Sequence, residues 1–503
     1  MKKILFILFV VCMVFASCSQ EEAVNATFFI NYDANCENPG GKIEYMLKPQ
    51  TYVRDRYSIT ALSCLYENGG YVFDSWNTEA DGSGTRVMPG DPLTPSSNIT
   101  LYAQWLEYKN IIVFEANGGT GTMESIDIEN GLRLPRCTFA REGYDFLGWN
   151  TKHDYNGTPY CDEQIVSFEK RTVLYAQWAV KDYFDLDESG MLIRGSAYDT
   201  GNVKLGMPLP KYLNGQAVKG TFSAENESDG LFYNLRKLHY VSIPDSYEEI
   251  GSYTFMGCGI YGITIPESCR KICECAFIRA SYLERIEILS TDLEIGPYAF
   301  QSAALKEVDL KNVKKIDSYA FSNNPSLTSA LIPDLEELGY AAFWRTGLTE
   351  IDIPGTVEVV SENAFRECDA LEHVILNEGI KEIGEASFLK CTAIRTLRIP
   401  DSCLVVGDYA FQFDTIEDLD LGNGVRTIGK YAFSKNTLIS EVTVPVSVQS
   451  FGEGAFWDDT ELATMYYEGT TEQWRAIEQG RHWVLNTQIT SVHLVEAKTL
   501  KLY

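Results

Sequence analysis

Asp408-Tyr409-Ala410-Phe411 and, one period later, Lys430-Tyr431-Ala432-Phe433 are copies of one short sentence, the second introduced by Ile428-Gly429. Its phenylalanine recurs at positions 232, 255, 277, 300, 321, 343, 365, 388, 411, 433 and 456, always 21 to 23 residues from the last. A period this tight over eleven copies marks a stacked repeat array. The other half of each unit reads Leu-x-x-Val-x-Ile, often closed by proline, as in Leu348-x-x-Ile351-x-Ile353-Pro354 and Ile439-x-x-Val442-x-Val444-Pro445. Its last two apolar slots are two apart, the spacing of a strand with one buried face. Proline has no N–H for a ladder, so it marks where the strand stops. The Ile-Gly pair then turns the chain and Ala-Phe sends a ring inward. A unit of about 22 residues cannot bury its apolar face alone, so stability is expected to spread along the array through neighbour contacts.

The fuller pattern Ile-Pro-x-x-Val-x-x-Ile-Gly-x-x-Ala-Phe-x-x-Cys, carried best by Ile353–Cys368, Ile399–Phe411 and Asp418–Phe433, resembles the BspA-like leucine-rich repeats (type 5). The resemblance implies a curved solenoid on a bacterial surface protein, credited with adhesion and protein binding, and it brings no catalytic residues. The expected fold class is therefore mainly β: a leucine-rich-repeat solenoid of about eleven 22–23-residue repeats over 232–461.

A different duplication precedes it. Gly70-Tyr71-x-Phe73-x-x-Trp76-Asn77-Thr78 returns as Gly143-Tyr144-x-Phe146-x-x-Trp149-Asn150-Thr151, and Leu101-Tyr102-Ala103-Gln104-Trp105 as Leu174-Tyr175-Ala176-Gln177-Trp178, both at an offset of 73. Alternating aromatics and threonines between Gly- and Asp-rich turns predict short strands. These modules, 26–105 and 106–178, are similar to the internalin B-repeat type, which implies two small β-grasp-like stalk units. Their tryptophans suit a core, since large aromatics dominate small β cores; stacking on sugars is the rival use. Asp81-Gly82-Ser83-Gly84 and Asp154-Tyr155-Asn156-Gly157 read as tight turns, lacking the ligand alternation of a calcium loop. Residues 179–231 read as a linker and N-terminal cap, with a turn at Leu209–Gly215. Residues 462–503 read as a C-terminal cap, in which Thr470 and Gln473 form a capping box for a short helix ending at Gly480, and Trp474 covers the last rung.

At the start, Met1-Lys2-Lys3 and the apolar run Ile4–Phe15 read as a signal peptide over 1–17, too short to span a bilayer. Ala16-Ser17-Cys18 resembles a bacterial lipobox, which implies lipidation of Cys18 and membrane attachment by that lipid alone, with 18–25 as a tether. The chain carries 70 acidic and 42 basic residues, a formal net charge of −28. Such a balance argues against nucleic acid, whose phosphates are met by Lys and Arg.

Chemistry is sparse. Of the cysteines, Cys258, Cys368 and Cys391 each follow a repeat phenylalanine by three, and Cys269 and Cys403 follow a repeat proline by three, the slots of small buried hydrophobes. Cys36 with Cys64, or Cys137 with Cys161, are the candidate disulfides, whose pairing spacing alone does not assign. Cys269-x-x-x-Cys273-x-Cys275 lacks a fourth ligand for zinc. No motif joins the five histidines to a nucleophile, so neither a cofactor nor an enzymatic activity is expected. What remains is a surface: strand residues beside the central apolar slot point outward, among them Glu350, Asp352, Asp418 and Asp420. The expectation is a non-enzymatic lipoprotein, at a bacterial outer membrane and cell surface, that binds an extracellular protein through this face. The rivals are a glycan-binding protein for nutrient capture and a structural spacer.

Overall fold

A computed structural model of the chain describes residues 27–36, 40–41, 48–53, 59–68, 71–107, 111–129, 131–202 and 204–495. The expected signal peptide, Cys18, the tether and Gly70 lie outside the described residues. The chain divides into two compact units, one of residues up to 111 with 169–171, the other of 112–168 and 172 onward.

In the first unit a five-stranded sheet runs in the order Gln50–Val53, Thr27–Asp33, Ile99–Glu107, Tyr71–Asn77, Arg86–Val87. Its central pair, Thr27–Asp33 with Ile99–Glu107, is parallel, and its other pairs are antiparallel. The motif rings form the core. Trp76 is fully buried between Tyr32 and Phe73, at centroid distances of 4.7 and 5.0 Å, and its indole donates to the Leu62 carbonyl. The second copy, in the other unit, repeats the order with Ile126–Asp127, Ile111–Glu115, Thr172–Val180, Tyr144–Asn150 and Pro159–Tyr160. Trp149 holds the place of Trp76, with Phe114 and Phe146 at 5.0 and 5.1 Å. The carboxylates of Asp81 and Asp154 accept bonds inside their own turns, from Ser83 and Asn156.

The array has three sides to each rung. One side is a parallel ladder of the Leu-x-x-Val-x-Ile strands, from Gly206–Pro208 to Val492–Leu494. A second is a ladder of shorter strands, from Phe184–Leu186 to Glu478–Gln479. On the third, the Ala-Phe corner, the N–H of each repeat phenylalanine from Phe232 to Phe433 donates to the alanine-slot carbonyl of the next rung, as Phe321 to Ala342 and Phe343 to Ala364, both 2.8 Å, and Phe456 donates to Trp483. Inside, the rings from Phe232 to Phe456 stack face on face, with centroids 5.0–5.5 Å apart and planes within 14°. Apart from the repeat period, this column needs one sharp corner per rung. The residue two before the phenylalanine adopts positive φ at Tyr253, Tyr298, Tyr319, Tyr409 and Tyr431.

The array reaches beyond 232–461 at both ends. Phe184–Leu186, Met191–Arg194 and Gly220–Thr221 already belong to the second ladder, and Thr464–Tyr467 and Val492–Leu494 continue the first. The capping box on Thr470 forms as expected, but the helix covers Thr471–Ala476 and stops short of Gly480, because Glu478–Gln479 pairs with Ser450–Phe451 as a last ladder strand. Trp474 shares the end of the core with Trp483, whose ring stacks on Phe451 at 4.5 Å.

Both ladders are interrupted at one place. No pairing joins Ser329–Leu331 to Glu350–Ile353, nor Glu337–Leu338 to Val359–Val360, although the Ala-Phe side continues across. The break coincides with a change of rung length. Phe321 follows Leu305 by 16 residues and Phe343 follows Leu327 by 16, against 17 for Leu283 to Phe300, Leu348 to Phe365 and Leu371 to Phe388. The missing residue lies in the turn between the two ladders, so two short rungs sit between longer ones and the strand pairing lapses at the step, where the Thr349 N–H still donates to the Thr328 carbonyl at 3.2 Å. The opposite step, from long to short, also breaks the first ladder, between Arg285–Ile288 and Glu307–Asp309. A third break in that ladder, before Thr396–Arg398, separates rungs of equal length, and nothing in their sequences accounts for it.

Within the second unit the module is joined to the start of the array. Gly148 stands where the first module has Ser75, and a Cβ on it would lie 2.6 Å from Pro208. Gly206 opposes it: a Cβ there would meet the Gly157 carbonyl at 2.7 Å, and its N–H donates to Tyr155. Beside this close contact, Lys211 bridges Asp245 and Glu163 at 2.7 and 3.2 Å, and Arg133 reaches Asp245 at 2.7 Å. Burial alone would raise Asp245, but bonds from Arg133 and Lys211 outweigh it and hold the carboxyl low; Glu163 is lowered by Tyr212 first and by Lys211. Because both folded values lie below the unfolded ones, this contribution is present above about pH 4 and is lost as pH falls through the folded values. Lys211→Met should weaken the joint by about 1–2 kcal/mol, discounted for the part-exposed carboxylates. Limited proteolysis should then release the second module sooner in the variant at pH 7, with the difference shrinking in acid; a pH-independent difference would mean the glycine contact alone holds the joint.

Candidate functional site

On the regular strands of the first ladder the central residue points in and its neighbours face out. Val308, Ile351, Leu397 and Val442 lie inside, while Glu307, Asp309, Glu350, Asp352, Asp418, Asp420 and Glu441 are exposed. The outward side chains therefore form two columns along the ladder. Cross-rung pairs moderate their acidity: Lys306–Glu284 at 2.6 Å, Arg395–Glu417 at 3.1 Å and Arg398–Asp420 at 2.9 Å. Each is exposed, and such pairs contribute little to stability.

The four carboxylates singled out in the sequence do not form one site. Glu350 and Asp352 line a groove of about 700 Å³ that spans the step in the ladder. Asp418 and Asp420 lie outside it, both next to the Arg398 guanidinium, at 3.8 and 2.9 Å. The groove also takes in Asp309 and His373, and two aliphatic side chains that polarity alone did not reveal: Leu331, 55% exposed, and Ile375, 53% exposed. Their signal was in the sequence, since each puts a large apolar residue into an outward slot that holds Asp309, Asp352, Arg398 and Asp420 on other rungs.

The interior titratable groups build structure. Cys269 and Cys273 are pushed up by burial to about 12 and Cys275 to about 11, and they face different partners: the Lys271 carbonyl, the Glu249 carboxylate and the Met256–Ile278 cluster. Cys137 and Cys161 are separate thiols, the latter donating to the Ser242 hydroxyl, and Cys64 is a thiol near the Tyr66 carbonyl. A second internal column lies three residues after each phenylalanine. There the side chains of Cys258, Asn324, Cys368, Cys391 and Asn436 donate to the carbonyl of the previous rung's phenylalanine, at 2.7–3.2 Å. Asp414 and Asp459 fill the same slot. Each accepts one backbone N–H, from Cys391 and Asn436, while its other oxygen has no partner. Burial drives both far above the ordinary carboxylate range. A neutral acid there supplies the donor that its neighbours have; a carboxylate would not.

Residues 226–346 and 336–463 match the family model described as the BspA type leucine rich repeat region, in six copies, and residues 28–104 and 111–177 match the Listeria-Bacteroides repeat domain. Two curated relatives come from Evansella cellulosilytica. One, provisionally described as a Gly-rich membrane protein, is 32% identical over 200 residues, 37% of this chain and 23% of its own length. The other, provisionally described as a membrane protein, is 30% identical over 118 residues, 23% of this chain and 17% of its own. The chain thus spans less than a quarter of either relative. Among solved structures, a leucine rich cell surface protein from Faecalibacterium prausnitzii A2-165 is 20% identical and aligns over 59% of this chain and 95% of its own, with a TM-score of 0.36. A leucine-rich repeat protein from Bacteroides ovatus ATCC 8483 is 18% identical over 62% of this chain and 98% of its own, with a TM-score of 0.37.

The Asp414 slot gives a signed expectation. Its folded value is raised, so the stability it allows is full below about pH 4 and is lost as pH rises towards the folded value. Asp414→Asn, which carries a permanent donor, should match the parent near pH 4 and exceed it at pH 8 by about 1–2 kcal/mol in urea melts. An equal offset at both pH values would show that folding does not raise the Asp414 carboxyl above its unfolded value.

Proposed function

We propose, from the premise that this chain is a BspA-like leucine-rich repeat protein whose residues 226–463 match that family, that it is a non-enzymatic lipoprotein of a bacterial surface that binds an extracellular protein through the exposed strand ladder. The observation that carries this reading is the groove across the step, where two half-exposed aliphatic side chains stand in an otherwise polar face. Solenoids present extended faces of this kind to partners. A standard protein contact covers on the order of 800 Å² per partner, and a dozen strands about 4.8 Å apart supply enough length for it. Attachment through Cys18, with adhesion to a host or neighbouring cell as its outcome, is the finer part of the proposal and is supported by the Ala16-Ser17-Cys18 junction.

Site-specific photocrosslinking tests the face. A benzophenone side chain is placed at Leu331 or Ile375 of the full chain in the expressing cells, and as a control at Lys315 on the second ladder. Crosslinked protein products should form from the first two positions and not from the third. No product at any position, or equal products at all three, overturns the reading. In the same cells a labelled fatty acid should mark the chain, and Cys18→Ala should abolish the mark; label that persists overturns the anchor.

A further inference from the structure

We infer that the groove across the step receives a basic amphipathic helix lying along the ladder axis. This rests on the reading that the exposed strand face is the binding surface, and it names the chemistry of the occupant.

The first observation is an alternation. In successive rungs one outward column runs Asp309, Leu331, Asp352, Ile375: acid, aliphatic, acid, aliphatic, all exposed. A surface that repeats charge and apolar contact in register asks for a partner that repeats their complements. The acids ask for cations, and the neighbouring column adds Glu307 and Glu350 to the same sign. The groups that now meet the acids are weakly committed. Lys311 pairs with Asp309 at 3.0 Å with both side chains about half exposed, and Asp352 accepts from the Asn377 amide. Exposed pairs of this kind contribute a fraction of a kcal/mol, so an incoming cation can replace them.

The second observation is the spacing. Neighbouring strands of this face lie about 4.8 Å apart, and the stacked rings inside these rungs are 5.3, 5.5 and 5.2 Å apart from Phe321 to Phe388. On an α-helix, residues three or four apart lie about 5–6 Å from one another on one face, and seven residues rise about 10.5 Å. One rung therefore matches a step of three or four residues, and two rungs match a heptad. An extended strand laid the same way sets its same-face side chains about 6.6–6.8 Å apart and falls out of step by the second contact. The predicted partner carries Lys or Arg at i and i+7, with Leu, Ile, Val or Met at i+3 or i+4 and at i+10 or i+11, an arrangement that places both sets on one helical stripe.

The third observation is the step itself. Both ladders lose their pairing between the rungs of Leu331 and Asp352, and the groove lies over that gap, so the flat strand face has a depression where a cylinder can settle.

Three synthetic 18-residue peptides with the same numbers of Lys and Leu, filled out with Ala, test the inference against the full chain by fluorescence anisotropy and circular dichroism. The first carries the predicted helical pattern. The second is scrambled so that no helical face holds both residue types. The third sets Lys and Leu at alternate same-face positions of a strand and carries two prolines in place of alanines. The patterned peptide should bind at least ten-fold more tightly than the other two and gain helicity on binding. The Leu331→Ser/Ile375→Ser variant, whose changes lie on the surface and should leave its melt unaltered, should erase that preference. Equal binding of the first two peptides overturns the inference, since charge alone would then suffice. Tighter binding of the third makes the occupant an extended strand and overturns it too. A preference that survives in the double variant places the helix elsewhere. If crosslinks form at Leu331 and Ile375 but the patterned peptide is not preferred, the helix fails and the binding face stands; absence of those crosslinks sinks the face itself.

Discussion

Every rung of this array depends on the next one. A 22-residue turn of chain cannot enclose a phenylalanine, yet each repeat ring from Phe255 to Phe456 is fully buried, because the ring above and the ring below close over it. Stacking at 5.0–5.5 Å and the hydrogen bond from each phenylalanine to the next rung's alanine-slot carbonyl repeat without a break from Phe232 to Phe433. The two strand ladders are secondary to this spine. They break at the step beyond Leu331 and the array continues, held on its third side.

That order of importance bears on where the exposed face changes character. Uniform rungs produce uniform columns, and on parts of the exposed strand face cross-rung ion pairs such as Arg395–Glu417 and Arg398–Asp420 link them. At the boundary between two short rungs and the longer ones that follow, strand pairing lapses while the spine holds, and the face there carries a groove with Leu331 and Ile375 in outward slots on either side of it. A change of rung length that a globular core would feel as a packing fault is tolerated here, because each rung touches only its two neighbours.

Much of this was legible in the sequence. The phenylalanine period gave the array, and the offset of 73 gave the two modules, because both are written in residue types that their positions demand. The ends were harder: Phe184–Arg194 and Val492–Leu494 join the ladders without the Ala-Phe signature, so a search for that signature stops too early. The helix after Thr470 was readable from its capping box, but its end was set by the pairing of Glu478–Gln479, a tertiary event that Gly480 does not announce. The step was present as 16 residues against 17, hidden by reading the interval between phenylalanines, which varies for other reasons as well. Glu350 and Asp352 were found as outward acids, yet pattern alone could not separate them from Asp418 and Asp420, whose difference is the Arg398 guanidinium between rungs. Likewise, only contact with Pro208 shows why Gly148 stands where the first module has Ser75.

The dependence of the whole on rung-to-rung stacking is tested most directly by Phe365→Ala in the full chain, followed by urea melts and by hydrogen exchange resolved along the sequence. The account predicts a loss of about 3–5 kcal/mol, with amide protection falling most in the rungs of Phe343 and Phe388 and least near Phe255 and Phe456. A loss below about 1 kcal/mol, or protection that falls evenly over all rungs, would contradict it.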